Sequence, residues 1–173
     1  MDAEELLKRL AAGERDFREI TLVGTQLPGA ALRLLNLSRA QLNGVNLRGA
    51  DLTRIDFSEA RLVQVKLAGA HLFMANFLKA TLAGVDFSGA NLHGANFQSA
   101  NLSNADLRAV HLTQANLQGA NLAGATLRRA HLTEADFRKA SLSGADLTEV
   151  ILSRTNFEGA VLRWAKLPDG WRS

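Results

Sequence analysis

Residues 89–107 read GANLHGANFQSANLSNADL, a stretch in which nearly the same five letters return four times. At this five-residue spacing, all 31 positions from Phe17 to Leu167 are Leu or Phe. Two residues before these centres, 20 of the 30 positions from Ile20 to Ala165 are Ala. A repeat that is this regular over nearly the whole chain indicates that the repeat itself determines the fold.

A five-residue period fits neither an α-helix nor a flat β-strand. In a helix, five residues advance by about 500°, so successive Leu side chains would step around the axis by about 140° and form no apolar face. In a flat strand, an odd spacing would place successive Leu side chains on opposite faces. We therefore predict a short extended edge in each repeat, with the small residue and the Leu or Phe pointing inward, followed by a bend that often contains Gly.

A second period, of 20 residues, sets the number of edges in one coil. Every twentieth position from Ala40 to Ala160 is Ala. Residues that are 20 apart are therefore predicted to stack, which gives four repeats per coil and about 7–8 coils at the usual spacing of paired strands. Six of the eight Phe residues lie on one line of the same period and are predicted to form part of the core: Phe17, Phe57, Phe77, Phe97, Phe137 and Phe157.

Units such as Ala50-Asp51-Leu52 and Ala95-Asn96-Phe97 resemble the pentapeptide-repeat proteins, whose consensus is A(D/N)LXX. The resemblance extends from residue 16 to residue 167. It implies an all-β solenoid, the right-handed quadrilateral β-helix of that family. The handedness is an expectation taken from the family, because the spacing alone does not determine it.

The N-terminal residues do not follow the repeat. Residues 2–12 carry acids first and bases later, which complements the dipole of a helix, and Gly13 follows as a stop signal. Leu6, Leu7 and Leu10 are predicted to lie on one side. We expect this amphipathic helix to cap the exposed end of the solenoid, where apolar side chains and backbone groups would otherwise meet water.

The predicted organisation is a helical N-terminal cap over residues 1–14, the repeat β-helix over 15–167, and a C-terminal cap or tail over 168–173. Bulky residues at the C-terminal end, Trp164 and Trp171, have two interpretations. They cover the last coil of their own chain, or they form a contact in an end-to-end homodimer, since relatives in the family dimerise through their C-terminal ends.

Composition narrows the class of protein. The chain has no Cys, which excludes disulfides and thiolate metal sites and suits a reducing compartment. It has no apolar run near the roughly 18 residues of a membrane span, and its start does not resemble a secretory signal. We expect a bacterial, cytoplasmic protein with no membrane contact. Because the predicted tube is filled and its faces are flat, we also expect no enzyme activity, no cofactor and no small-molecule substrate.

The outward residues sort into four faces. The first face carries the Phe line, and the second, third and fourth faces are centred on every twentieth residue from Leu22, Leu27 and Leu32. Outward charges on the second face are limited to Arg61 and Arg163, which fits either an ordinary surface or a docking face. Bases and acids interleave on the third face, which argues against nucleic-acid binding.

The fourth face gathers all four histidines: His71, His93, His111 and His131. Neighbouring imidazoles are able to share a metal ion, but the sequence offers no third ligand, so we predict no metal site. Phe73 and Met74 are predicted to point outward among these histidines. Together with the four histidines, Phe73 and Met74 form a candidate partner contact, with the alternative that a local swelling of the coil buries Phe73.

These features predict a rigid, non-enzymatic scaffold or regulator that binds another protein, as a monomer or a C-terminal end-to-end homodimer. The alternative implied by the family is a quinolone-resistance-type protein that binds DNA gyrase as a DNA mimic. A net charge of +3 and the absence of loop insertions between residues 16 and 167 argue against that alternative.

Overall fold

Residues 1–171 are described by a computed structural model, in which one helix is followed by a four-sided coil. The helix, α1, spans Ala3–Ala11. Three short strands follow: β1 is Thr21–Val23, β2 is Gln41–Asn43 and β3 is Arg61–Val63. No helix in the described part of the chain is long and apolar enough to cross a membrane.

The strands stack in parallel on the second face, in the order β1-β2-β3. Leu22 pairs with Leu42 and Leu42 pairs with Leu62, so each strand lies one coil above the previous one. The other faces and the later coils are joined by single parallel bridges with the same 20-residue offset, such as Asn76 to Asn96. The prediction of four repeats per coil is therefore confirmed.

Backbone hydrogen bonds join each coil to the next. On the first face, the Phe77 N–H donates to the carbonyl of Asn96 at 2.7 Å, and the Asn96 N–H donates to the carbonyl of Ala75 at 2.9 Å. The repeat ends in a β-turn, in which the Ala80 N–H donates to the carbonyl of Phe77 at 3.0 Å. Lys79, inside this turn, has a φ of 56°. Gly adopts such angles at little cost, which explains why Gly is common two residues after the centres.

The core is a continuous column of the repeat centres. Every centre from Phe17 to Leu147 is at most 3% exposed. The Phe77 ring stacks on Phe97 with centroids 4.7 Å apart and on Phe57 with centroids 5.4 Å apart. From residue 150 onward, the centres and their small neighbours are only partly buried, including Phe157. Burial therefore decreases at the C-terminal end of the coil.

Helix α1 lies over the other end of this core. The Asp2 carboxylate accepts a hydrogen bond from the Glu5 N–H at 2.9 Å and so caps the helix N-terminus. Leu6 is 1% exposed and Leu10 packs partly buried against the core. The expectation that Leu7 shares this side is wrong, since Leu7 is 46% exposed. Consecutive helical residues point about 100° apart, so Leu7 turns away from the surface that Leu6 covers.

Candidate functional site

The fourth face presents a ladder of side chains on a regular backbone. The corners that precede its middle coils are Gly69, Gly89 and Ala109, which carry little or no side chain, so this part of the ladder is open from that side. Its outward column, joined by parallel bridges, consists of Ala31, Asp51, His71, Asn91, His111, His131 and Ile151.

Phe73 and Met74 lie outside the coil. Phe73 is 36% exposed and Met74 is 47% exposed, while Leu72 and Ala75 on either side are buried. The turn keeps its usual hydrogen bond, from the Ala75 N–H to the carbonyl of Leu72 at 3.0 Å. Because this turn is regular, the coil does not swell to bury Phe73.

The side chains around Phe73 are ordered by their neighbours one coil away. Phe73 stacks on His93, with ring centroids 5.3 Å apart and an angle of 2° between the planes. Met74 lies over the corner at Gly94, where an added Cβ would be 3.5 Å from the Met74 Cγ. On the other side, Arg54 Nη2 lies 4.0 Å from the Met74 Sδ. We call Arg54, Phe73, Met74 and His93 the fourth-face edge.

The fourth-face edge joins apolar surface to a positive charge. Among residues 1–171, no carboxylate forms a salt bridge with Arg54. A shallow recess lies beside the Phe73 ring and is also lined by His71, Asn91 and His111. The edge therefore offers an aromatic surface, a flexible thioether and a guanidinium within one continuous patch.

The histidines divide into three different environments. His93 stacks on Phe73, and His71 lies between Asp51 and Asn91 in the ladder. His111 and His131 are direct neighbours, with ring centroids 4.6 Å apart. Within residues 1–171, no group of three or more His, Cys, Asp or Glu side chains is placed to hold a metal ion.

The Asn and Asp column of the first face has a structural role. The Asn96 side chain donates to the Oδ1 of Asn76 at 3.1 Å, and Asn76 donates to the Oδ1 of Asp56 at 3.0 Å. The same Asn76 Oδ1 also accepts from the backbone N–H of Leu78 at 3.2 Å. These hydrogen bonds use the side chains to fix the turns and to join the coils.

Opposite charges on the first and third faces lie close together. On the third face, Arg108 donates to both carboxylate oxygens of Asp106, at 2.8 and 3.0 Å, and this hydrogen bonding lowers the pKa of Asp106. On the first face, Arg138 lowers the pKa of Asp136 in the same way. Such pairs neutralise one another locally, so these surfaces do not form a long stripe of one charge.

The second face is smooth and ends in exposed apolar residues. Val23 near one end is 67% exposed, and Val161 near the other is 50% exposed. Trp164, at the corner after Val161, is 74% exposed, and the Arg163 guanidinium lies 3.9 Å from the centre of its ring. The face carries the three paired strands described above.

The two tryptophans have different positions. Trp171 is partly buried and places its ring against Phe157, with centroids 5.1 Å apart and planes at 77°. Trp164 points into solvent. Trp171 therefore covers part of the last coil of its own chain, whereas Trp164 is available for contact.

The sequence interpretation overlooked Arg54 and the small residue at Gly94, and it did not pair His93 with Phe73. The 20-residue register contains this information, because His93 follows Phe73 by 20 positions, and Arg54 and Gly94 flank Met74 at the same interval. Applying the register to every outward residue would have placed these side chains together.

The sequence profile of pentapeptide repeats, in eight copies, matches residues 16–54, 36–73, 75–114 and 115–154. The chain therefore belongs to the pentapeptide-repeat family. Proteins of this family adopt a right-handed quadrilateral β-helix, so the expected fold class is confirmed.

Solved structures of this family provide three comparisons. QnrB1, a plasmid-mediated fluoroquinolone resistance protein, is 22% identical with a TM-score of 0.68, covering 91% of this chain and 84% of that chain. HetL, involved in heterocyst differentiation regulation in the cyanobacterium Nostoc sp. strain PCC 7120, is 28% identical over 100% of both chains, with a TM-score of 0.47. A pentapeptide repeat protein from the Arabidopsis thaliana thylakoid lumen is 38% identical over 61% of this chain and 70% of that chain, also with a TM-score of 0.47. No protein with a curated description matches the sequence.

Proposed function

We propose that this chain is a non-enzymatic scaffold that binds another protein through the fourth-face edge. The observation that carries the proposal is the ordered exposure of Phe73 and Met74. The Phe73 ring is held flat on His93 and Met74 continues the surface over the next corner. Large apolar side chains that are already ordered before binding lose little entropy in a complex, and they are typical anchors of protein interfaces.

The chemistry of the edge indicates the partner's contact residues. Burying the exposed part of Phe73 and Met74 requires an apolar side chain on the partner, and each fully buried side chain of this size contributes about 1.5–3 kcal/mol. Arg54, beside Met74, favours a neighbouring carboxylate. We therefore propose a partner segment that combines an apolar residue with an acidic one.

The choice of a scaffold over an enzyme is supported by the core and by the family. The repeat centres from Phe17 to Leu147 fill the coil with apolar side chains, which provide no acid, base or nucleophile. Pentapeptide-repeat proteins are generally structural or regulatory scaffolds.

The gyrase alternative has less support. The likeness to QnrB1, at 22% identity, shows the fold alone. DNA mimicry requires a long negative surface, whereas Asp106 and Asp136 are each paired with a neighbouring arginine. A protein partner that is not a DNA enzyme is the better proposal.

Affinity capture tests the fourth-face edge. We expect the wild-type chain, used as bait in an extract of its source cells, to retain a specific protein that the Phe73→Asp, Met74→Lys variant does not retain. The charges introduced into the apolar patch would have to be desolvated in the complex. The matched control is Val23→Asp, which adds a charge to an exposed apolar position on the second face and should retain the same protein.

Three outcomes of the capture experiment distinguish the fourth-face edge from the alternatives. Identical proteins bound to wild type and to the double variant would contradict the fourth-face proposal. Loss only in Val23→Asp would move the contact to the second face. Retention of gyrase subunits by the wild-type chain, unaffected by the double variant, would instead favour the gyrase alternative.

We further propose that two copies associate through their C-terminal ends. Leu132 and Phe137 donate their backbone N–H groups to the next coil at 2.9 and 2.7 Å. The equivalent groups of Leu152 and Phe157 have no backbone acceptor among residues 1–171. Unpaired strand edges of this kind favour pairing with another chain, and the exposed Trp164 lies next to them.

Light scattering tests this association. We expect a mass of about twice 18.7 kDa at high micromolar concentration, and a monomer mass for Trp164→Glu. Val23→Glu, a similar change at the opposite end of the second face, should leave the dimer intact. A monomer mass for the wild-type chain at every concentration would contradict the proposal.

A further inference from the structure

His111 and His131 are held side by side by the backbone. They form a parallel bridge on adjacent coils. The His131 N–H donates to the carbonyl of Val110 at 2.9 Å, and the His131 carbonyl accepts from the N–H of Leu112 at 2.9 Å. Their ring centroids are 4.6 Å apart, with 61° between the planes. The spacing is thus set by the ladder of the coil and not by a loop.

This spacing matches that of two imidazoles on one metal ion. Imidazoles bound at about 2.0 Å and about 90° apart hold their ring centroids about 4.5 Å apart, whereas a tetrahedral angle requires about 5 Å. Contrary to the expectation from the sequence, which offers no third ligand, we propose that His111 and His131 form a two-histidine site for a divalent first-row transition metal. Cu²⁺ and Ni²⁺ are preferred, because both accept ligands at right angles and Cu²⁺ binds nitrogen donors most strongly in this series.

The surroundings leave room for the ion. The corner before His111 is Ala109, whose short side chain leaves space for the remaining ligands. At the corner before His131, Arg129 is paired with Glu149 at 2.6 Å, which balances its charge. Since no third His, Cys, Asp or Glu among residues 1–171 completes the group, water would fill the other positions.

His71 provides a matched control on the same column. It is bridged to Asp51 and Asn91, so it has no second imidazole beside it. Asn91 also shows that the column accepts Asn. Replacing a histidine of this column by Asn is therefore expected to preserve the coil while removing one metal ligand.

Titration calorimetry of the full-length, tag-free chain with CuSO₄ and with NiCl₂ tests the site. We expect one ion per chain. His111→Asn and His131→Asn should each weaken binding by about a hundredfold, because the second imidazole acts as an intramolecular ligand with a high effective concentration. His71→Asn should change the affinity by less than about threefold.

A variant designed to bind a second metal ion provides a further test of the site. Asp51→His places an imidazole next to His71 on the side away from His111, and we expect the number of bound ions to rise from one to two per chain. The proposal is overturned if the wild-type chain binds no tighter than His111→Asn, if His71→Asn loses as much affinity as the pair variants, or if Asp51→His leaves the stoichiometry unchanged.

Discussion

Replacing Phe77 by Ala is expected to lower the free energy of unfolding by about 3–5 kcal/mol. Phe77 is fully buried between Phe57 and Phe97, and the edge of Phe87 meets its ring with centroids 5.7 Å apart. Truncation therefore removes several ring contacts at once. The neighbouring coils are fixed by backbone hydrogen bonds, so they cannot move together to close the cavity. Urea unfolding followed by circular dichroism measures the loss.

The same substitution at Phe73 is the matched control. Phe73 is the same residue type, four positions earlier, but it lies outside the coil at 36% exposure. We expect Phe73→Ala to cost about 1 kcal/mol or less. An equal loss in the two variants would contradict the assignment of Phe77 to the inside and Phe73 to the outside.

Leu6→Ala is expected to cost about 2–5 kcal/mol and to promote association of the folded chain. Leu6 is buried against the first coil. Arg9, in the same helix, places its guanidinium 4.9 Å from the centre of the Phe17 ring. Weakening the helix uncovers the apolar end of the core and its unpaired strand edges. Urea unfolding measures the stability, and light scattering measures the association.

Leu7 supplies the control within the same helix. It is 46% exposed, so Leu7→Ala should change stability by no more than about 0.5 kcal/mol and leave the mass unchanged. If Leu6→Ala were equally harmless, residues 1–14 would not act as a cap. The proposed division between cap and repeat would then be wrong at this end.

The middle of the chain could be predicted from the sequence because its period is strict. A centre such as Leu102 has identical neighbours above and below, so one register fixes its face, its burial and its bridges. The ends could not be predicted in the same way. Leu7 and Trp171 lie outside the repeat, so the register does not determine where they point. The direction of Leu7 follows from helix geometry, and that of Trp171 from its contact with Phe157.

Whether the coil is regular at Phe73 could be determined only from the structure. The register placed Phe73 outside but could not determine whether the coil would swell, since both outcomes keep the centres in phase. The decisive factor is local: Met74 adopts a φ of 54°, so the turn closes as in the other repeats. Phe73 then lies on His93 without disturbing the coil.

Function in this fold depends on what differs between repeats. The centres and the small residues repeat along the whole coil and specify the tube. Within residues 89–107, the outward positions are mostly Asn, Ser, Gln and Gly, and His93 stands out because its ring orders Phe73. The fourth-face edge is the most distinctive product of this variation.

The affinity of this chain for the captured protein, once purified, most directly tests whether the fourth-face edge binds the partner. We expect calorimetry to show binding to the wild-type chain and to Val23→Asp with equal affinity. For Phe73→Asp, Met74→Lys we expect an affinity lower by at least about a hundredfold, corresponding to the loss of about 3 kcal/mol from two anchor side chains. Equal affinity for all three chains would contradict the proposal that this edge binds the partner.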